Sequence, residues 1–190
     1  MMQGPRVVES WTSSHLVGAA GPLPYREVLM EGTPAERDII IAEANAHEAP
    51  ELLEVQKRAF LLEAERYDAC SMPPLTETVR EVREAFAEST ILKAEMEGRI
   101  VGVVRATSKG GTCLIGRLAV EPDLQDRGIG TALLAEAEAR CGDAPRLELF
   151  VGSRSHKDIH IYEKMGYRTY KAEDIRDDIK LLHMEKLRPR

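Results

Sequence analysis

Residues 118–140 read LAVEPDLQDRGIGTALLAEAEAR. An apolar run ending at Val120 gives way to a proline, a polar elbow and two glycines. The Ala/Leu-rich segment that follows predicts a helix over roughly 127–140, with Ile129, Leu133 and Ala137 on one face. Gly142 and Pro145 stop it. The first turn of a helix has N–H groups with no internal partner, and the macrodipole is positive there. Gly128 and Gly130 remove side chains that would keep a ligand away from those groups. The elbow therefore reads as an anion cradle whose natural guest is a phosphate or pyrophosphate. Arg127 stands where it can add a charge-assisted contact.

Two familiar phosphate patterns fail. No G-x-x-x-x-G-K-[ST] occurs. A G-x-G-x-x-G reading would need its third glycine at Leu133. What remains is Gln-x-x-Gly-x-Gly, Gln125 to Gly130, after LAVEPDL.

Outward from the elbow, the chain before it predicts three antiparallel strands. TILKAEM and RIVGVVRAT are joined by Glu97-Gly98, and Lys109-Gly110-Gly111 turns into TCLIGRLAV. Further upstream, Ile39–Ile41 read as a buried strand. APELLEVQKRAFLLEAERY carries Leu52, Val55, Ala59 and Leu62 at helical spacing. The prolines of SMPPLTE break that helix. Thr78 and Glu81 fit a capping box for the next one, whose apolar face is Val79, Val82 and Phe86. Downstream, RLELFV is a strand, and strand–helix–strand succession implies a parallel pair with a right-handed crossover. SHKDIHIYEKMGY is a short helix ended by Gly166, with strand candidates near 167–172 and 179–187. Residues 1–37 mix Gly, Pro, Ser and Thr and read as an extension or arm; Trp11 and Val28-Leu29-Met30 are candidate anchors. The domain itself is expected over 38–190.

The 190 residues suit one domain, and 43 % hydrophobic content supports a core. A net charge of −6 with both signs dispersed argues against a nucleic-acid partner. It is compatible with a cationic small substrate. Cys70, Cys113 and Cys141 are odd in number and widely spaced, so a disulfide or zinc site is not expected and a reducing cytoplasm is the default. No apolar run approaches membrane-spanning length, so no membrane association is expected. HLVGAAGPLP is too short and broken for a signal peptide.

The loop and its setting resemble the GNAT superfamily of acyl-CoA-dependent N-acyltransferases. IGRLAVEPDLQDRGIGTALLAEAE is similar to that family's fourth strand, pyrophosphate loop and third helix. LELFVGSRSHKDIHIYEKMGYR is similar to its fifth strand and fourth helix, including the Tyr-Glu-Lys-x-Gly-Tyr ending. The resemblance covers about 38–188. It implies an α/β (α+β) GNAT fold: a mixed six- to seven-stranded sheet with an antiparallel N-terminal meander, a parallel pair made by the fourth and fifth strands, and about four flanking helices.

The resemblance further implies acetyl-CoA as co-substrate, no metal, and a pantetheine arm lying between those two strands along Leu118, Ala119 and Val120. A backbone N–H near Val120 would meet the thioester carbonyl. The pyrophosphate would sit on the N–H groups of Gln125, Asp126, Arg127, Gly128, Ile129, Gly130 and Thr131. Tyr162 matches the family's general acid to the leaving thiolate. Ser155 and Asp158 stand where many relatives carry an Asn that touches the cofactor; they also fit a capping box, which is their expected role. The base that deprotonates the acceptor stays open among Glu148, Glu77, His183 and a water chain. Arg117 is read either as an exposed strand arginine or as a holder of a substrate carboxylate.

Two functions follow: direct acetyl transfer to the amine of an unidentified small-molecule or protein acceptor, or a non-catalytic acyl-CoA-binding module. Cys113 and Cys141 have no evident His partner and are poor nucleophiles. Dimerisation is common for this architecture, which makes a homodimer the expectation by analogy.

Overall fold

The computed structural model describes residues 25–28, 39–67, 72–176 and 179–189. Among the described residues, eight strands form one sheet: β1 Tyr25–Val28, β2 Ile39–Glu43, β3 Thr90–Met96, β4 Arg99–Lys109, β5 Thr112–Val120, β6 Arg146–Gly152, β7 Arg168–Arg176 and β8 Ile179–Leu187. Their spatial order is β1-β2-β3-β4-β5-β6-β8-β7. Every neighbouring pair is antiparallel except β5/β6, which is parallel. The expected mixed sheet is present. β1 adds an edge strand from within the segment read as an extension, so the expected fourth and fifth strands are β5 and β6. Trp11, Leu29 and Met30 lie outside the described residues.

The helices are α1 Ala49–Tyr67, α2 Pro73–Thr76, α3 Val79–Ala85, α4 Ile129–Arg140 and α5 His156–Lys164. The prolines read only as a break in fact open the short α2, Pro73 being pre-set for a first helical position. The capping box at α3 forms: Glu81 N–H donates to Thr78 Oγ1, and Thr78 N–H donates to Glu81 Oε2 at 2.7 Å. The β3–β4 turn is Glu97-Gly98 with φ of 53° and 72°, the left-handed pair that a two-residue hairpin requires.

The sheet is covered on both faces. α1 lays Leu52 and Val55 on Ile91, Ile100, Val103 and Ala119. On the opposite face α4 lays Ile129, Leu133, Leu134 and Ala137 on Val101, Val104, Leu147 and Leu149. Each of the buried valine, leucine and isoleucine side chains contributes about 1.5–3 kcal/mol of burial. Contact is tight under α4: a Cβ at Gly102 would lie 2.8 Å from Leu133 Cδ1 and 3.2 Å from Ala119 O.

One expectation is overturned. Cys113 in β5 and Cys141 just after α4 form a disulfide, with Cα atoms 5.8 Å apart. Spacing gave no hint of it because the 28-residue separation runs through the β5–α4 crossover. The premise of unpaired thiols, on which the reducing compartment rested, does not hold for these two residues. Among the described residues no helix is long and apolar enough to cross a membrane.

Candidate functional site

β5 and β6 are paired over three positions only: Thr112↔Arg146, Cys113↔Leu147 and Leu114↔Glu148. Beyond them β5 continues along β4 to Val120, and β6 continues along β8 to Gly152. A V-shaped gap therefore opens from Leu114 and Glu148 toward the elbow. Glu121 N–H donates to Val101 O at 2.9 Å, and Ala119 is paired with Val103. Strand alternation then turns the N–H and C=O groups of Leu118 and Val120 into the gap. At the foot of this segment the β4–β5 register slips between Val103 and Arg105, and Arg117 takes a φ of 56°. For a residue with a Cβ this is a strained conformation.

At the open end of the gap, Leu124 is buried and anchors the elbow. Arg58 of α1 clamps the buried Glu121 carboxylate, with Nη2 2.6 Å and Nε 3.1 Å from Oε1. Asp126 and Gly128 have φ of 62° and 82°, the left-handed turns from which anion-binding nests are made. Among the described residues, no protein group accepts the N–H of any residue from Gln125 to Thr131; the first helical bond is Ala132 N–H to Gly128 O, at 3.0 Å. A Cβ at Gly130 would reach only Val120 Cγ2, at 3.7 Å. The side chains of the elbow point to protein. Gln125 Nε2 donates to Val120 O at 3.2 Å, Arg127 Nη2 to Asp123 O at 3.2 Å, and Asp126 pairs with Lys157 at 2.7 Å.

Across the gap, Ser155 is the N-cap of α5 but makes no side-chain cap bond. The capping box expected of Ser155 and Asp158 does not form. Ser155 Oγ instead donates to Glu63 Oε1 and lies 2.8 Å from Tyr67 Oη, and Tyr67 Oη accepts Arg154 N–H at 2.7 Å. A competing tertiary partner has taken the hydroxyl from the cap. The approach is close enough that a Cβ at Gly152 would lie 2.2 Å from Tyr67 Oη. Glu63 and Tyr67, one helical turn apart on α1, escaped sequence reading; the glycine ending β6 was their one trace, as a site of close backbone approach. Burial, and next the negative charge of Glu63, push the half-buried Asp158 carboxyl up to about 6. Burial, followed by the charges of Asp158 and Glu63, raises the pKa of Tyr162.

The three base candidates separate into two places. Glu77 is half-buried and receives Gln56 Nε2 at 2.8 Å, Arg105 Nη1 at 2.9 Å and Arg117 Nε at 3.3 Å. Burial raises its pKa, but those hydrogen bonds and the two guanidinium charges outweigh it and hold the carboxyl below its ordinary range. Glu148 and His183 come together on the open side of β6 and β8, with His183 Nδ1 3.8 Å from Glu148 Oε1. Tyr170 Oη donates to Glu148 Oε1, and the Arg146 guanidinium lies 4.7 Å above the Tyr170 ring. Arg117 is not the exposed strand arginine of the blander reading: its side chain is 22 % exposed and ion-paired.

Residues 64–188 match the family model "Acetyltransferase (GNAT) domain". The chain belongs to the GNAT acetyltransferase family. Among relatives, it is 35 % identical over 80 residues to an acetyltransferase of Pectobacterium atrosepticum, covering 41 % of this chain and 57 % of that one. It is 27 % identical over 128 residues to the Bacillus subtilis protein YqkA, covering 67 % of this chain and 36 % of that protein. The chain thus spans from about a third to somewhat over half of the length of these relatives. In fold it is similar to the PaiA N-acetyltransferase of Thermoplasma acidophilum, solved with coenzyme A, at a TM-score of 0.65 and 17 % identity over 79 % of this chain and 99 % of that one. It is also similar to the ribosomal-protein-S18-alanine N-acetyltransferase of Escherichia coli, with a TM-score of 0.63 and 17 % identity over 78 % and 93 % of the two chains.

Proposed function

We propose that this protein transfers an acetyl group from acetyl-CoA to a primary amine by direct attack in a ternary complex. The observation that carries the reading is the run of unclaimed N–H groups from Gln125 to Thr131 at the mouth of the gap. Peptide N–H groups at a helix N-terminus suit a diphosphate, and the open gap suits a narrow, amide-bearing arm. When bound, acetyl-CoA supplies a thioester whose carbonyl carbon accepts the amine nitrogen and whose sulfur leaves as a thiolate.

The chain's own groups then have distinct tasks. The N–H groups of Gln125, Asp126, Arg127, Gly128, Ile129, Gly130 and Thr131 hold the diphosphate. Leu118, Ala119 and Val120 line the arm, and the gap-facing N–H of Val120 donates to the carbonyl oxygen as negative charge develops there. Tyr162 gives its phenolic proton to the departing sulfur, and because a free thiol has a pKa of about 8.5 the thiolate needs only modest help in leaving. Ser155 and Asp158 border the arm, with Ser155 fixed by Glu63 and Tyr67. Glu148 takes up, by way of water, the proton that the acceptor ammonium must lose before its amine attacks, since its ladder partner Leu114 lies six residues along β5 from Val120. Glu77, clamped and ionised among two arginines, organises the acceptor side instead of shuttling protons.

Calorimetry with coenzyme A and a thiol-release assay with acetyl-CoA and a panel of amines test this reading. Binding together with amine-dependent thiol release is expected. Binding without turnover on any amine would instead mark a non-catalytic acyl-CoA-binding module. Absence of heat with coenzyme A would overturn both.

A further inference from the structure

We propose that the acceptor is an amine carrying a carboxylate, a free amino acid with an apolar or aromatic side chain, and that Arg117 and Arg105 hold its carboxylate. The proposal rests on the acetyl-transfer reading above and names the substrate class of that same site.

Among the described residues the charges around Glu77 do not balance. One half-buried carboxylate faces two guanidinium groups whose side chains are only 16 % and 22 % exposed. The cluster therefore holds one cation in excess in a poorly solvated place, where an uncompensated charge is unfavourable. Its donors are not spent either. Arg105 Nε is shielded from solvent and has no acceptor. Among the described residues Glu77 is the one acceptor of Arg117, through Nε, which leaves both terminal nitrogens of that guanidinium without a protein partner. Planar guanidinium groups with free N–H edges are suited to a second carboxylate.

The position is as informative as the charge. Arg117 occupies the strained bulge immediately before Leu118–Val120, the segment that lines the gap. At about 3.3 Å per residue it stands about 10 Å along the strand from Val120. An arginine side chain there reaches an acceptor whose amine points at the gap. Strain at a non-glycine residue persists when its surroundings over-determine it, and here the Glu77 clamp does so.

Between the arginine pair and Glu148 the sheet is open and apolar. Cys113, Ile115, Leu147 and Leu149 face the α4 core, so alternation puts Leu114, Glu148 and Phe150 on the other face. Leu114 and Phe150 are 39 % and 42 % exposed, and a Cβ at Gly116 would meet nothing within 4 Å. α1 covers β4 and β5 but leaves this part uncovered. The face thus offers a cationic edge for the carboxylate and an apolar floor for the side chain of an apolar amino acid.

Matched acceptors test the assignment. L-phenylalanine, L-phenylalaninamide and phenethylamine share an amine and a ring and differ in the carboxylate. The rate of CoA release and the mass of the product are read for each, together with calorimetry of each against the protein saturated with CoA. Phenylalanine is expected to be favoured at least about 10-fold in kcat/KM, or in affinity, over the other two. Arg117→Gln should collapse that preference at least about 10-fold through KM for the acid, and Arg117→Lys should restore part of it. Coenzyme A affinity and thermal melting of both variants report whether the fold and cradle survive. Equal use of all three compounds would overturn the proposal. So would a preference that persists in Arg117→Gln, or coenzyme A binding with neither binding nor acetylation of any free amino acid. Loss of coenzyme A binding in the unaltered protein is the separate result that removes the underlying reading.

Discussion

The elbow at 121–131 and the open face of β6 and β8 border the same gap and are built in opposite ways. At the elbow the groups proposed to bind are main-chain N–H groups, and the nearby side chains are occupied with protein partners: Gln125 with Val120 O, Arg127 with Asp123 O, Asp126 with Lys157. On the open face the backbone is spent in the ladder, and every group able to act is a side chain: Glu148, His183, Tyr170 and, at its edge, Arg105 and Arg117. A main-chain site depends on conformation, and thus on where glycine is allowed. A side-chain site depends on which residues four or five separate elements bring together. The first tolerates many substitutions and is destroyed by bulk. The second is changed by single functional groups.

The sharpest way to break that contrast is at Gly130. A Cβ there makes an ordinary contact with Val120 Cγ2, and Glu has a better helix propensity than Gly, so Gly130→Glu should fold. It places bulk and negative charge over the N–H groups. Coenzyme A affinity is expected to fall at least about 100-fold, about 2.7 kcal/mol, while the melting temperature changes little. Calorimetry beside thermal melting checks both. Near-normal coenzyme A binding would mean the cradle does not hold the diphosphate.

Asp158 lies between the two regions and gives a smaller effect with a distinctive pH dependence. Its carboxyl is pushed from 3.8 to about 6, first by burial and then by Glu63. Between those values the folded state binds more protons than the unfolded chain, so this group's contribution to stability is fully present below about pH 4 and is lost as pH rises through about 6. Asp158→Asn keeps the shape and removes the titration. It should match the unaltered protein near pH 4 and exceed it above pH 7 by on the order of 2 kcal/mol. Urea melts of both proteins from pH 4 to 8 read the difference. A gap that does not change with pH would show that the carboxyl is solvated after all.

The same contrast explains what could be read from the sequence. The elbow was legible because its requirement is local: a glycine that accepts a φ of 82°, a second that keeps space clear, and a helix whose apolar face is Ile129, Leu133 and Ala137. Element order was legible for a similar reason, since turn residues and periodicity are short-range signals. β1 was not, because four residues within a Gly/Pro/Ser-rich stretch carry no periodicity and are defined only by pairing with β2. The clusters Glu77–Arg105–Arg117 and Glu63–Ser155–Tyr67 span 40 and 92 residues of chain. No spacing rule reports contacts that the sheet topology alone creates. Ser155 shows how a correct local motif can lose: the capping sequence is present, but Glu63 and Tyr67 compete successfully for the hydroxyl.

The mildest substitution is also a discriminating one. Gln125 is the residue of the elbow motif whose side chain is most readily assumed to touch the ligand. In the structure its Nε2 donates to Val120 O, a carbonyl that strand alternation turns into the gap. Its task is to hold the end of β5 against the elbow, so Gln125→Ala removes one hydrogen bond worth about 0.5–1.5 kcal/mol of stability. The N–H groups proposed to hold the diphosphate are untouched by the change. Coenzyme A affinity should therefore weaken no more than about 3-fold, about 0.7 kcal/mol, in the same calorimetric assay that records the large loss at Gly130. A loss above about 10-fold would place the carboxamide on the ligand and turn the elbow into a side-chain site like the open face across the gap.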